Sequence, residues 1–101
     1  MTEPLVYRGP NGSITVTAGA LTRLVARTAQ TVDGALVRRP KRAVEVEHGG
    51  GRASVTIGLC VRQGVALPEL AHAVQERVGG AVARVSGLEV ERVDVNIQEI
   101  A

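Results

Sequence analysis

Aromatic residues are almost missing from this sequence. Phenylalanine and tryptophan are absent, and Tyr7 is the only aromatic side chain among 101 residues. Platforms for single-stranded nucleic acids stack bases on aromatic faces, and sugar sites usually need such faces too, so the shortage counts against both functions. Hydrophobic residues still make up 45% of the chain. The core must therefore be aliphatic, built from valine, leucine, isoleucine and alanine.

Cysteine is also scarce, since Cys60 is the single one. One cysteine excludes a disulfide within the chain and a cluster of thiolate ligands within one copy. Strand parity places Cys60 on the polar side of its strand. We interpret it as a small surface residue, because a reactive thiol needs an electropositive setting that the sequence does not establish.

Long hydrophobic runs are missing as well. No stretch approaches the roughly 20 apolar residues of a membrane span, and residues 1–12 contain no apolar core of a signal peptide. We therefore expect a cytoplasmic protein without direct membrane insertion.

The charge is nearly balanced, with a formal net charge of +2, far below the excess that makes nucleic-acid binding a default inference. Four basic residues nevertheless lie close together in the connection 35–42: Arg38, Arg39, Lys41 and Arg42. We interpret this connection as a solvated loop, or as a contact for acidic protein, lipid headgroup or phosphate. The alternative function is a small nucleic-acid-binding domain that uses this loop, with an affinity that falls steeply with salt.

The longest periodic pattern predicts a helix. Apolar residues recur over 67–85 at spacings of three, four and seven. Pro68 can open this helix at its first turn, and Ser86-Gly87 ends it. Gly79-Gly80 lies inside the helix, where a kink or a closely approaching backbone would explain it.

A strand follows this helix. Val93, Val95 and Ile97 alternate with polar residues, which indicates a half-buried strand. The preceding apolar residues have the opposite parity, so we predict a bulge or short turn near Glu91-Arg92, with the strand starting around Arg92.

Residues 44–61 predict a β-hairpin around the glycines 49–51, with one apolar and one polar face. Together with the last strand, the pattern places a set of polar residues on the side opposite the core. We take four of them as candidate interaction residues beside the basic loop: Thr56, Arg62, Asp94 and Asn96.

The N-terminal part is less regular. Residues 1–12 are predicted to form a flexible N-terminal segment. Residues 13–16 are a short β-branched run that could add an edge strand. Thr17 is a good N-cap for a helix, which Asp33-Gly34 should end, with Gly34 in a left-handed conformation.

These patterns combine into one α+β domain over residues 13–101. We expect two helices packed on one face of a small mixed sheet of three or four strands. The predicted order is β-α-β-β-α-β, with a weak first strand.

No catalytic constellation is visible, and we assign no catalytic, cofactor or metal residues. His72 has Glu69 and Glu76 at helical spacing. We interpret the three as an exposed ion-pair row, since a metal site needs three or four convergent ligands. His48 falls at the hairpin turn and has no assigned role.

Several segments match a known family. They are 12–17 leading into the first helix, 32–34 closing it, Gly64 before Leu67, positions 71, 74, 75 and 78 of the second helix, and 86–90 followed by 93–97. On these segments the chain resembles the alkaline-shock proteins, which are cell-envelope stress-response proteins of Gram-positive bacteria. It departs from their pattern at Gln63, where an aromatic residue is common, and at Asp94, where asparagine is usual.

The resemblance implies a non-enzymatic cytoplasmic interaction or scaffold protein of cell-envelope stress homeostasis. It implies self-association into a homo-oligomer and a location at the inner side of the envelope, through a membrane-anchored protein partner. It implies no cofactor and no catalytic residues. We do not expect nucleic acid to be the partner.

Overall fold

The computed structural model describes residues 2–101, which form an α+β fold, as predicted. Its elements in chain order are β1 (Leu5–Gly9), β2 (Gly12–Val16), α1 (Ala18–Ala29), β3 (Ala35–Leu36), α2 (Pro40–Ala43), β4 (Val44–Gly49), β5 (Arg52–Val61), α3 (Leu67–Ser86) and β6 (Glu89–Ile100).

The main sheet is mixed and is organised around β5. β6 pairs with β5 in parallel along its whole length, and β4 and β3 pair with it antiparallel. Both therefore share the edge opposite β6, with β4 beside the first part of β5 and β3 beside its end. Helix α3 connects the two parallel strands, because such a pair needs a crossover.

The hydrophobic core lies on one side of this sheet. Val55, Ile57 and Leu59 of β5 are each 0% exposed, and they belong to one buried cluster with residues of both long helices, among them Val25, Val74, Val78 and Val82. The core is aliphatic, as the composition predicts. Burial of such side chains is worth about 1.5–3 kcal/mol each, which makes this side the main source of stability.

A separate hairpin precedes the main sheet. The β-branched run 13–16 forms β2, but β2 pairs with β1 rather than with the main sheet. The expectation of an added edge strand was therefore wrong. β1 falls within the segment for which the sequence predicts a flexible lead-in. Its Leu5 is only 6% exposed, and the Tyr7 hydroxyl donates a hydrogen bond to the Ser86 carbonyl at the end of α3.

Helix α1 begins as predicted and ends earlier. The Thr17 side-chain oxygen accepts from the Ala20 backbone N–H at 3.1 Å, which confirms the N-cap. The helix ends at Ala29 and not at Asp33. Gly34 does have a left-handed φ of 90°, but it serves the turn that leads into β3.

The basic connection also contains structure that the sequence did not predict. Its first residues form β3 against the end of β5. Pro40 then opens the single turn α2, where its missing N–H costs nothing and its fixed φ suits a helix. Both elements are too short for a periodic pattern to reveal them.

Helix α3 has the predicted bounds and is closed by Gly87 in a left-handed conformation. It runs through Gly79 and Gly80 without interruption. Among the described residues, only the side chains of Val93 and Val90 lie within 4 Å of an added Gly79 Cβ, and nothing lies near Gly80. The interpretation of a closely approaching backbone was therefore wrong.

Strand β6 confirms the predicted bulge but not the predicted start. The register shifts by one residue at Glu91, because Val90 lies opposite Ala53 and Arg92 opposite Ser54. The strand starts at Glu89, three residues before Arg92, because pairing with β5 continues across the bulge. A second shift occurs at Gln98, between the pairs of Leu59 and Cys60.

Candidate interaction surface

The side of the main sheet opposite the core carries polar side chains, and we call it the open face. In register, Thr56 lies between Glu45 of β4 and Asp94 of β6, and Gly58 lies beside Asn96. The open face comprises Glu45, Glu47, Ser54, Thr56, Gly58, Cys60, Arg92, Asp94, Asn96 and Gln98. Thr56, Asp94 and Asn96, three of the predicted interaction residues, therefore lie next to one another.

Ion pairs follow the outer strand of this face. Arg92 and Asp94 approach to 3.0 Å, and Arg52 at the start of β5 lies 3.4 Å from Glu91. Both members of each pair are about half exposed or more. Such exposed pairs are worth little for stability, so their charges remain available for contacts with another molecule.

The structure separates the four basic residues of the connection. Arg38 forms an ion pair with Glu99 at 2.9 Å. Arg39 precedes α2 with a left-handed φ of 51°. Lys41 and Arg42 lie in α2, and both border a cavity beside the open face.

This cavity has a volume of about 470 Å³ and lies between the start of α1, the helix α2 and the open face. We call it the α1–α2 cavity. It is lined by Thr2, Ala18, Gly19, Thr22, Lys41, Arg42, Ala43, Val44, Glu45, Thr56, Gly58, Asn96 and Gln98. Four predicted interaction residues therefore meet here, from two regions that the sequence treats separately: Lys41, Arg42, Thr56 and Asn96.

Arg62 does not join this group. Its guanidinium bonds the Asp33 carboxylate at 2.9 Å, on the turn after α1. The hydrogen bond from Arg62, and then its charge, lower the pKa of Asp33 below the usual 3.8. Arg62 thus pairs the end of β5 with that turn through an exposed ion pair.

Cys60 lies on the predicted side of β5 but is buried, with only 7% exposed. It borders a depression shared by Arg38, Arg39, Arg42 and neighbouring residues of β6. The interpretation of Cys60 as a surface residue was wrong, because the connection before β4 covers this end of the sheet.

His72 does not form the predicted arrangement. Within residues 2–101, His72 forms no ion pair with Glu69 or Glu76, so the expected ion-pair row is absent. His48 lies 3.0 Å from the Glu3 carbonyl through its Nε2 atom. No group of three or more potential metal ligands occurs in that part of the chain.

Comparison with known families identifies the family of this chain. The family model of alkaline shock protein 23, described as having a cell envelope-related function, matches residues 8–101. The chain belongs to this family. Its resemblance to the alkaline-shock proteins, inferred from separate segments, is confirmed. Comparisons with curated proteins and with solved structures gave no match. No helix among the described residues is both long and apolar enough to cross a membrane.

Most other residues of the α1–α2 cavity were not identified from the sequence, and among them are Gly19, Thr22 and Gln98. The N-cap at Thr17 was a usable signal for the first two, because it fixes which residues form the first turns of α1. Nothing local indicates that this turn lies beside α2. Gln98 occupies the second bulge of β6, and its side chain lies over Gly58, where a Cβ would come within 2.5 Å of it.

Proposed function

We propose that this member of the alkaline shock protein 23 family is a non-enzymatic, cytoplasmic interaction or scaffold protein of cell-envelope stress homeostasis. It associates with copies of itself, and a membrane-anchored protein partner holds it at the inner side of the envelope. The family's cell envelope-related function supports the proposed link to the cell envelope. The polar open face supports a role in binding other proteins, and no catalytic constellation accompanies it among residues 2–101.

The observation that carries this proposal is the contrast between the two sides of the sheet. One side is covered by both long helices. On the other side, hydroxyls and opposite charges lie in neighbouring strands, where Thr56 is opposite Asp94 and Glu45. Threonines, serines and opposite charges are the groups that pair across a strand interface without needing a large apolar area.

The alternative surface for self-association is the outer side of α3, where Ala73, Gly80 and Arg84 are aligned. Ala73 is partly buried and packs against the core, so it is less available to a second copy. This contact favours the open face.

Replacing Thr56 with arginine tests the proposal. The longer cation at the centre of the open face should block docking of a second copy while leaving the core side unchanged. Size-exclusion chromatography with light scattering should show an oligomer for the parent protein and a smaller mass for Thr56→Arg. The matched control is Thr15→Arg, at an exposed strand position of the hairpin, which should keep the parent mass.

A parent protein that is strictly monomeric, or an oligomer whose mass is the same in both variants, would contradict assembly through this face. Fractionation of native cells tests the location separately. The protein should sediment with the envelope and be released when the partner is lost, and a purely soluble distribution would exclude the proposed anchoring.

A further inference from the structure

We propose that the α1–α2 cavity binds a phosphate group, carried by a soluble phosphate ester or by a lipid headgroup. The proposal concerns a ligand, and it stands whether or not the chain self-associates. Three independent features of the cavity carry it: unpaired helix amides, a buried hydroxyl and two cations.

The first feature is the start of α1. Thr17 caps only the Ala20 N–H through its side chain, and its carbonyl accepts from Leu21. The N–H groups of Ala18 and Gly19 have no carbonyl within the helix to bond, and both residues line the cavity. The first turn contains no acidic residue. The positive end of this 12-residue helix therefore faces the cavity without an anion from its own sequence.

The second feature is Thr22, which lies one turn further along the same side of α1 as Ala18. Thr22 is only 7% exposed, lines the cavity, and its hydroxyl forms no hydrogen bond with any described residue. No fully buried side-chain oxygen or nitrogen in residues 2–101 lacks a partner. The Thr22 hydroxyl therefore opens into the cavity as a donor without an acceptor.

The third feature is charge. Lys41 and Arg42 line the cavity, and neither forms an ion pair within the described chain. Glu45 is the one carboxylate in the lining, so two cations outweigh one anion. Asn96 and Gln98 add amide donors from the open face.

Together these groups fit a phosphate better than a carboxylate. A phosphate offers three strong acceptor oxygens and up to two negative charges, which can meet helix amides, a hydroxyl and two cations at once. The volume of about 470 Å³ also leaves room for part of the esterified molecule, since small-molecule sites span roughly 300–1,000 Å³.

Titration of the full chain with glycerol 3-phosphate, followed by amide NMR, tests the proposal. Sodium chloride at equal ionic strength serves as the reference. We expect saturable shifts at Ala18, Gly19 and Thr22 that chloride does not reproduce. Absence of a saturable shift at these amides would exclude a soluble ester, and if the vesicles described below also fail to bind, it would overturn the proposal.

Two variants separate the specific site from general electrostatics. Gly19→Glu places a carboxylate beside the free amides, where an added Cβ meets only the Arg23 guanidinium at 3.9 Å, so the fold should be retained. We expect this variant to lose phosphate binding. Thr22→Val keeps the side-chain shape and should weaken binding about threefold to tenfold, the loss expected for one hydrogen bond. Retention of full affinity in both variants would overturn the proposal.

Charge controls complete the design. Lys41→Gln and Arg42→Gln should each weaken binding, whereas Arg27→Gln, at the far end of α1, should leave it unchanged. Asn11→Glu adds the same charge as Gly19→Glu at the exposed tip of the β1–β2 hairpin, seven residues before Ala18, and should also leave it unchanged. Equal losses of phosphate affinity at cavity and control positions would show that the effect comes from net charge alone. That result would overturn the proposed site.

Vesicles distinguish the two sources of the phosphate group. Binding to phosphatidylglycerol vesicles but not to phosphatidylcholine vesicles, lost in Gly19→Glu and kept in Asn11→Glu, would assign the site to a lipid headgroup. Saturable binding of glycerol 3-phosphate without vesicle binding would assign it to a soluble ester. Either result supports the site, and failure of both probes excludes it.

Discussion

The two faces of β5 have different roles in the protein. Ile57 on the core side is 0% exposed and lies in register between Val44 and Val95. Its neighbour Thr56 points to the open face and lies between Glu45 and Asp94. One strand therefore supplies packing on one side and polar contacts on the other. Substitutions one residue apart should consequently affect different properties of the protein.

The largest effect should come from Ile57→Ala. Truncation of a fully buried aliphatic side chain removes transfer free energy and leaves a cavity, so we expect a loss of about 2–5 kcal/mol in the free energy of unfolding. Thr56→Ala, the matched change on the open face, should alter it by no more than about 0.5 kcal/mol. Denaturant unfolding of both variants measures the difference, and similar losses would show that the two faces contribute equally to stability.

The core side was also the part that the sequence predicted best. The bounds of α3 follow from an apolar stripe interrupted by Ser86-Gly87, and the alternation along β5 identifies its buried face. A pattern of this kind needs several turns or residue pairs to be recognised. α2 has four residues and β3 two, so neither could be detected in this way.

The candidate site could be predicted only in pieces. The basic loop and the polar strand positions were both identified, but tertiary packing brings Lys41 and Arg42 of α2 next to Thr56 and Asn96. Thr22 was assigned no role, because a threonine on an amphipathic helix gives no local indication that a cavity lies beside it. β1 was missed for a similar reason, since its order depends on pairing with β2 and on the distant contact of Tyr7 with Ser86.

An intermediate effect is expected at Gly79, where α3 faces β6. Gly79→Ala should raise the free energy of unfolding by about 1 kcal/mol, because alanine is the better helix former. Its added Cβ would lie 3.6 Å from the Val93 side chain, an ordinary van der Waals contact. Gly80→Ala provides the same gain in helix propensity with nothing within 4 Å.

Denaturant midpoints of these two variants therefore separate propensity from packing. A larger gain for Gly79→Ala would measure the new contact with Val93. Loss of stability in Gly79→Ala would show that the core side has no room for one methyl group there.

The smallest effect should come from the exposed ion pair between Asp33 and Arg62. Arg62 lowers the pKa of Asp33 below its ordinary value of 3.8, chiefly through the hydrogen bond and then through its charge. Because the folded pKa is below the unfolded one, the pair stabilises the folded chain above about pH 3.8, and this contribution is lost as the pH falls through the lowered pKa. Arg62→Gln should therefore be slightly less stable than the parent at neutral pH, with the difference vanishing in acid.

The matched background for this measurement is Asp33→Asn, which cannot titrate. In that background, Arg62→Gln should change the unfolding free energy by an amount that does not depend on pH between 2 and 7, if the ion pair is the cause. Added salt should reduce the neutral-pH difference in the parent background, since both side chains are exposed. A difference that persists unchanged into acid would instead assign the role of Arg62 to packing at the end of β5.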